Sequence, residues 1–201
     1  DLLYDDTVPH GGGLSSSAAI EVSTALMFAT FANEKSGNKK DIDMIEMALL
    51  SQKAEHNFID VKCGIMDQFA SAMGKADHAV YLNCATLDYE HIPLRLNDCR
   101  IVLTNTNVKH SLGSSKYNER RKECEEGLLA LKGAMPNIEQ LADVTPKDFE
   151  LHKDLITDST VQKRIKHVVY ECDRVKKSAK ALKANEIAAE SKKASRGIEK
   201  L

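Results

Sequence analysis

A run of small residues near the start of the chain could bind a phosphate group. Residues 11–19 read GGGLSSSAA, and a strongly apolar segment follows them. Glycines let a backbone approach a ligand closely, and a helix that begins after them directs free amide groups and the positive end of its dipole outward. Serine hydroxyls add hydrogen-bond donors, and one of them can also ligate magnesium. A purely structural alternative is a glycine loop in which Ser15 or Ser16 caps the helix.

Three established phosphate or oxyanion loops do not fit this run. The Walker motif requires a lysine after its glycines, and none stands there. Ser16 occupies the position at which the dinucleotide fingerprint has its third glycine. Residues 10–13, HGGG, are similar to a lipase oxyanion loop, but the chain has no G-x-S-x-G nucleophile elbow. None of these motifs therefore explains the run.

The elements that must position this run are predicted from periodicity and from helix and turn signals. The helix after the run is apolar on all sides, so we expect it to be buried. Asp41 is the predicted cap of the second helix, Glu55 lies at its end, and Gly74 ends the third. The predicted strands of the first half are residues 1–9, 78–84, 90–96 and 99–107, and the predicted helices are residues 15–32, 41–56 and 63–74.

The second half of the chain is predicted to be mostly helical. Serines precede the segment 114–133, which ends at Gly133. Thr145 can cap the next helix, with Pro146 at its first position. From about Ser159 onward, apolar residues recur at helical spacing through a long segment.

Composition limits the classes of partner. The net charge is -2 and the pI is near 6.4, so we expect no binding to nucleic acid or to an anionic membrane. The five cysteines are scattered without the spacing of a zinc site, which is typical of reduced thiols in the cytoplasm. No apolar stretch is long enough to span a membrane, and the first residues lack the basic start of a signal peptide. We expect a cytoplasmic monomer with a small-molecule substrate.

Three segments carry a family resemblance. VPHGGGLSSSAAIEV, from Val8, resembles the second motif of the GHMP kinases, in which a glycine and serine loop wraps the nucleotide phosphates. AEHNFIDVKCGIMDQFASAMG and TNTNVKHSLGSSKYNERRKECEE are similar to segments of the galactokinase family, in the same order and at similar spacing as far as about Glu126. The resemblance implies an α+β fold. It also implies that residues 1–96 form part of an α/β N-terminal, ATP-binding domain and that residues 97–201 form part of a helix-rich α+β C-terminal domain.

The resemblance implies ATP and Mg²⁺ as cofactors. Ser17 and Glu55 are implied to hold Mg²⁺, although Glu55 by itself would be read as a solvated charge at a helix end. Phosphorylation of a sugar hydroxyl requires in-line placement of two anions and a metal to offset their charge. The residues implied to line the ATP phosphates are Gly11, Gly12, Gly13, Leu14, Ser15, Ser16 and Ser17.

Asp67 is the catalytic residue that the resemblance implies. It matches the carboxylate beside the anomeric hydroxyl of galactose, where it can orient the sugar and accept its proton. The structural alternative is an aspartate that stabilises the dipole of a first helical turn. The resemblance also implies that Gly64, Ser114 and Tyr117 bind the sugar together with Asp67, whereas Tyr117 alone could be a packing residue.

The implied reaction is transfer of the γ-phosphoryl group of ATP to galactose, giving galactose 1-phosphate. The family also carries an early sugar-binding motif with a catalytic arginine and a late glycine-rich motif, and neither stands in these 201 residues. We therefore expect the middle of a longer kinase, weak or inactive on its own. Two alternatives are a non-catalytic sensor of galactose and ATP, which the intact SSSAA stretch disfavours, and an N-acetylgalactosamine kinase with the same motifs.

Overall fold

This computed structural model describes residues 2–9, 12–37, 40–96, 99–105 and 113–184, and for residues 113–115 it describes the backbone alone. The described part of the chain contains six α-helices and one β-hairpin. The helices are α1 (Ser16–Ser36), α2 (Met44–Ala54), α3 (Met66–Met73), α4 (Gly113–Lys132), α5 (Pro146–His152) and α6 (Ser159–Lys183), and the strands are β1 (His78–Leu82) and β2 (Tyr89–Pro93). A π-helical turn, Glu55–Ile59, continues α2, and 3₁₀ turns span Leu141–Asp143 and Lys153–Leu155. The predicted α+β class is confirmed.

The chain divides into two compact units. The first contains residues 1–91 and 96–114, and the second contains residues 92–95 and 115–201. These units are defined by packing, whereas the family domains predicted at 1–96 and 97–201 are defined by resemblance. That domain boundary stays a prediction.

The core of the first unit lies where α1, α2 and α3 pack together. Ala48 of α2 and Phe69 of α3 are fully buried, and Ile65 is almost fully buried beside them. The Phe69 ring also meets the edge of Tyr89, with ring centroids 5.2 Å apart. Burial of these side chains holds α3 against α2 and the hairpin.

The second unit has its own core, formed by α4, α5 and α6 with the turns between them. Gly127 of α4 lies directly against Ile165 and Val161 of α6, so its lack of a side chain permits this close approach. The buried core residues are Leu131, Ile138, Leu141, Val144, Phe149, Ile156, Val161, Ile165 and Val169.

Most predicted helices and the hairpin are confirmed. Gly74 is the C-cap of α3, Thr145 is the N-cap of α5 with Pro146 as its first residue, and α6 begins at Ser159. The predicted strand pair forms a two-stranded sheet, with Leu87 in the left-handed region at φ 62° in the turn. These elements depend on local signals, which a sequence carries directly.

Three predicted helix boundaries are wrong. α3 begins at Met66, three residues after its predicted start at Cys63. Asp43, not Asp41, caps α2, because its Oδ1 accepts the amide hydrogens of Ile45 over 2.8 Å and Glu46 over 3.4 Å. α1 continues to Ser36, into residues predicted as a loop, and ends at Gly37, whose φ of 66° suits a glycine.

Two predicted strands and one predicted burial are also wrong in the described part of the chain. Residues 2–9 and 99–105 are not strands, because a strand requires a hydrogen-bonding neighbour and the described sheet consists of β1 and β2 alone. α1 is not buried all round, since Phe28 is 57% exposed and Phe31 54% exposed.

All five cysteines are free. Among the helices of the described ranges, none combines the length and the hydropathy that a membrane crossing requires.

Candidate functional site

The glycine loop turns sharply before it enters α1. The amide of Gly12 donates to the carbonyl of Pro9 over 3.3 Å, and a Cβ at Gly12 would lie 3.2 Å from that oxygen. Gly13 has a φ of 73°, which glycine adopts without strain. Gly13 is exposed, Gly12 is partly buried, and both lie just before the amino end of the helix.

The first amides of α1 have no partner within the helix. Ser15 occupies the N-cap position with a φ of 56°, but its side chain makes no capping hydrogen bond. The first helical bond runs from the amide of Ala19 to the carbonyl of Ser15, so the amides of residues 16–18 precede the helical ladder. The first turn of α1 contains no acidic residue. Capping by the Ser15 hydroxyl therefore does not account for the serine run.

Glu55 lies where α2 widens into the π-helical turn. The widened turn closes at Asp60, which has a φ of 57°, and the amide of Val61 donates to the Glu55 carbonyl over 3.4 Å. Turns of this type are frequent at functional sites. Glu55 is therefore the first residue after α2 and the first residue of the π-helical turn.

Two side chains from this region hold the segment that leads to α3. Nε2 of Gln52 donates to the carbonyl oxygen of Cys63 over 3.1 Å, and Nε2 of His56 donates to the same oxygen over 2.8 Å. Because a carbonyl oxygen only accepts, His56 carries its hydrogen on Nε2. These bonds fix the backbone just before Gly64 and the start of α3.

Asp67 and Gln68 are neighbours in the first turn of α3 and have opposite environments. The Asp67 side chain is exposed, whereas Gln68 is only 2% exposed. Nε2 of Gln68 donates to Oε2 of Glu21 on α1 over 3.3 Å. This bond brings the start of α3 to the second turn of α1.

Glu21 and Glu55 form a carboxyl pair. The pKa of Glu21 is raised from its ordinary value of 4.5 to about 7; burial is the largest cause, the neighbouring Glu55 carboxyl group adds to the rise, and the hydrogen bond from Gln68 opposes it. Burial and the charge of Glu55 also raise the pKa of the neighbouring Cys63 thiol. The ends of α1, α2 and α3 therefore meet at one polar cluster, Glu21, Glu55, Cys63 and Gln68, hereafter the carboxyl cluster.

The predicted phosphate, metal and catalytic residues adjoin this cluster to different extents. Ser17 lies one helical turn before Glu21 on the same face of α1. Glu55 is part of the cluster, and Asp67 directly precedes Gln68. Leu14 is 38% exposed in the loop. The fold thus brings the elements that carry Ser17, Glu55 and Asp67 together.

The structure does not test the predicted roles of Gly11, Ser114 and Tyr117. Gly11 and the side chain of Ser114 lie outside the described residues. Tyr117 lies on α4 in the second unit, and its side chain is 44% exposed. The sugar contacts of Ser114 and Tyr117 stay predictions.

Glu21 and Gln68 were not predicted from the sequence as site residues. Glu21 is the single charged residue in the apolar stretch 18–33, and a lone charge in such a helix is a signal that could have identified it. Gln68 carries no such signal, because its burial depends on the packing of α3 against α1.

The donor set suits Mg²⁺. The described residues contain no group of three or more His, Cys, Asp or Glu side chains arranged to hold a metal. Mg²⁺ usually keeps several waters and binds one or two protein oxygens together with substrate phosphates. Ser17 and Glu55 offer such hard oxygens, and Oε1 of Gln68 is buried with no partner in the described structure, so it can accept a hydrogen bond from a newly bound group.

Comparison with known proteins identifies related sequences. Residues 1–75 match the GHMP kinases N terminal domain. The chain is 43% identical to a galactokinase of Bacillus subtilis over 187 residues, which are 93% of this chain and 46% of the relative. It is 46% identical to a galactokinase of Fusobacterium nucleatum over 188 residues, which are 94% of this chain and 47% of the relative. The chain spans about half the length of the curated relatives it matches.

A solved structure has the same fold. The crystal structure of Lactococcus lactis galactokinase complexed with galactose matches with a TM-score of 0.80 and 38% sequence identity. The match covers 88% of this chain and 44% of that one. The likeness of fold and sequence therefore extends over most of the chain.

Proposed function

From the match of residues 1–75 to the GHMP kinases N terminal domain and the similarity to galactokinases, we propose that the chain is part of a GHMP kinase and that the whole protein transfers the γ-phosphoryl group of ATP to the anomeric hydroxyl of galactose. The product is galactose 1-phosphate. Its relatives are galactokinases by name, and the matched crystal structure contains galactose. The five free cysteines support a reducing compartment such as the cytoplasm.

The carboxyl cluster is the observation that carries this proposal. Gln68, the residue after Asp67, donates a hydrogen bond to Glu21, and Glu55 lies close enough to Glu21 to raise the pKa of Glu21. A kinase needs a phosphate site, a metal site and a group beside the attacking hydroxyl within one small region. The start of α1, the start of α3 and the end of α2 are in contact within the first unit. These contacts support a single region that contains the phosphate site, the metal site and the catalytic group.

In this proposal the loop binds the phosphates through its backbone. The amides at the start of α1 and the hydroxyls of Ser15, Ser16 and Ser17 donate to phosphate oxygens, and the helix dipole favours their negative charge. Gly12 and Gly13 leave the backbone accessible. Ser17 and Glu55 hold Mg²⁺, which offsets the charge of the β- and γ-phosphates when it is bound.

Asp67 acts on the sugar in this proposal. Its exposed carboxylate accepts a hydrogen bond from the anomeric hydroxyl and takes up the proton as the oxygen attacks phosphorus. Gly64 lies three residues before it, on the segment that Gln52 and His56 hold through Cys63. Because that segment is anchored, Asp67 is presented from a fixed helix start rather than from a free loop.

ADP release with galactose tests the proposal. In the whole protein, we expect Asp67→Asn to lower kcat by about 10² to 10⁴, the usual contribution of a positioned general base. Asp41→Asn is the matched control, because Asp41 is exposed and does not cap α2. Full turnover in Asp67→Asn would remove Asp67 from the reaction.

A panel of sugars tests the substrate. We expect galactose to give a higher kcat/KM than N-acetylgalactosamine or glucose. Binding of galactose and ATP without ADP formation would instead identify a sensor, and a preference for N-acetylgalactosamine would reassign the kinase.

A further inference from the structure

Two side chains donate to a single backbone oxygen just before α3. Nε2 of Gln52 lies 3.1 Å from the carbonyl oxygen of Cys63, and Nε2 of His56 lies 2.8 Å from the same oxygen. Gln52 is in α2 and His56 follows four positions later in the π-helical turn, a spacing at which helical side chains are neighbours. A carbonyl oxygen has two lone pairs, so it accepts both bonds at once. The peptide group between Cys63 and Gly64 is therefore held by two donors.

Packing does not hold the connection between α2 and α3. Residues 52–64 are all described, and none of them is buried, whereas Ile65 directly after them is 4% exposed. Phe58 is 85% exposed and Ile59 is 61% exposed, so the apolar side chains of the π-helical turn add nothing to the core. A segment with so few buried contacts depends on its hydrogen bonds for its position.

Other hydrogen bonds hold the first part of this connection. The amide of Val61 donates to the carbonyl of Glu55 over 3.4 Å, and Nζ of Lys62 donates to the carbonyl of His56 over 3.2 Å. The two bonds to the Cys63 carbonyl act on the last part, next to the start of α3. The residues that enter α3 are therefore placed mainly by those two side-chain donors.

We propose that Gln52 and His56 are positioning residues, which fix the carbonyl of Cys63. Through this carbonyl they set the places of Gly64 and Asp67 beside the sugar. The inference rests on the proposed function, because Gly64 and Asp67 are its sugar-binding residues. Neither donor belongs to the loop that is proposed to bind the phosphates, so loss of the donors should impair the reaction of galactose rather than the binding of ATP.

Steady-state kinetics of the whole protein test the proposal. Gln52→Met and His56→Phe each remove one donor at similar side-chain volume, and each should lower kcat/KM for galactose about tenfold, the upper range for one hydrogen bond. The double variant frees the carbonyl and should lower kcat/KM about 10²-fold, as expected when a reacting group is misplaced. KM for ATP should stay within about twofold, because these donors take no part in ATP binding.

Two further variants separate the hydrogen bonds from general effects of substitution. His56→Gln has an amide that can donate from the position of Nε2, so its kcat/KM for galactose should stay within about threefold of the wild type. Lys53→Met is the matched control for Gln52→Met, because Lys53 is the exposed neighbour of Gln52 on α2. It should leave the kinetics unchanged.

Amide hydrogen exchange in the whole protein gives a readout that does not depend on activity. Residues 61–67 should exchange faster in Gln52→Met and His56→Phe than in the wild type, and at the wild-type rate in His56→Gln. If His56→Phe does not fold, His56→Asn takes its place, because its shorter side chain has no donor at the position of Nε2.

The contrary outcomes are distinct. Unchanged exchange, or an unchanged kcat/KM for galactose despite faster exchange, would overturn the positioning role. An equal rise of KM for ATP and for galactose would overturn it as well, because the effect would then not be confined to the sugar. A wild-type protein that forms no ADP with galactose would instead contradict the proposed function itself.

Discussion

At the scale of single residues, the Glu21 carboxyl group is the most perturbed acid that the described structure contains. Burial is the first cause of its raised pKa, and Glu55 is the second. A lone carboxyl group in an apolar helix face holds its proton more tightly in the folded state than in the unfolded state. Its protonation is therefore linked to folding.

This linkage predicts a pH dependence of stability. Between pH 4.5 and about 7 the folded protein keeps the Glu21 proton that the unfolded chain has released, so the free energy of unfolding should fall as pH rises through this range. Glu21→Gln cannot release a proton, so that fall should be absent. Urea unfolding of both proteins at several pH values gives the difference.

The matched control for this measurement is Glu34→Gln on the exposed part of α1. It should retain the wild-type slope. A wild-type profile parallel to that of Glu21→Gln would contradict the raised pKa.

At the scale of elements, α5 is defined by its own first turn. The amide of Asp148 donates to Oγ1 of Thr145 over 3.2 Å, and Oδ2 of Asp148 accepts from the amide of Thr145 over 3.2 Å. This is a capping box, and it satisfies two amides that the helix leaves free. The cap of α5 therefore depends on two residues that are only three positions apart in the sequence.

Loss of this cap should cost stability. We expect Thr145→Ala to lower the free energy of unfolding by about 1 kcal/mol, the usual value for a cap residue. Thr160→Ala is the control, because its exposed side chain lies in the first turn of α6 and the cap there is Asp158. Urea unfolding compares the two, and an equal effect would show that the Thr145 cap adds nothing.

The crossing of α4 and α6 is set by Gly127. A methyl group there would overlap the Ile165 side chain and lie 3.2 Å from Cγ1 of Val161. Alanine improves helix propensity by about 1 kcal/mol, but overpacking of a core costs about 1 to 3 kcal/mol. We therefore expect Gly127→Ala to lower the free energy of unfolding by about 1 kcal/mol net.

A double-mutant cycle separates these effects. Ile165→Ala removes the atoms that the methyl group added by Gly127→Ala would overlap, so the double variant should lose less stability than the sum of the two single variants. Strict additivity would contradict the steric explanation.

At the scale of the whole molecule, the first unit leaves one apolar face open in the described structure. A groove of about 560 Å³ lies between α1 and α2, and Phe28 and Leu50 on its walls are 57% and 54% exposed. Exposed apolar surfaces of this kind bind hydrophobic dyes. We expect the 201-residue chain to enhance the fluorescence of anilinonaphthalene sulfonate.

Paired substitutions test the source of that signal. Phe28→Lys and Leu50→Lys should each reduce dye fluorescence while circular dichroism stays unchanged. Leu151→Lys on α5, in the second unit, is the control at a side chain that is 71% exposed. An equal reduction of fluorescence in Leu151→Lys would show that the dye does not bind specifically in the groove between α1 and α2.

Much of this fold was predictable because its signals are local. α3, α5 and α6 follow from caps and apolar spacing within a few residues, and the hairpin follows from two short strands around a turn. The cap of α2 was misassigned, because Asp41 and Asp43 carry the same chemical signal two residues apart. The strands predicted at residues 1–9 and 99–107 failed in their described parts, because alternation does not supply a neighbouring strand.

The sequence by itself carries the resemblance to the GHMP kinases and the candidate residues Ser17, Glu55 and Asp67, because ordered motifs are a property of the chain. Only the tertiary structure decided that Glu21 meets Glu55 and Gln68. The bond from Gln68 to Glu21 spans 47 positions, and such a pair forms only when the packing of α1, α2 and α3 brings distant segments together. Burial, and with it the raised pKa of Glu21, depends on that packing in the same way.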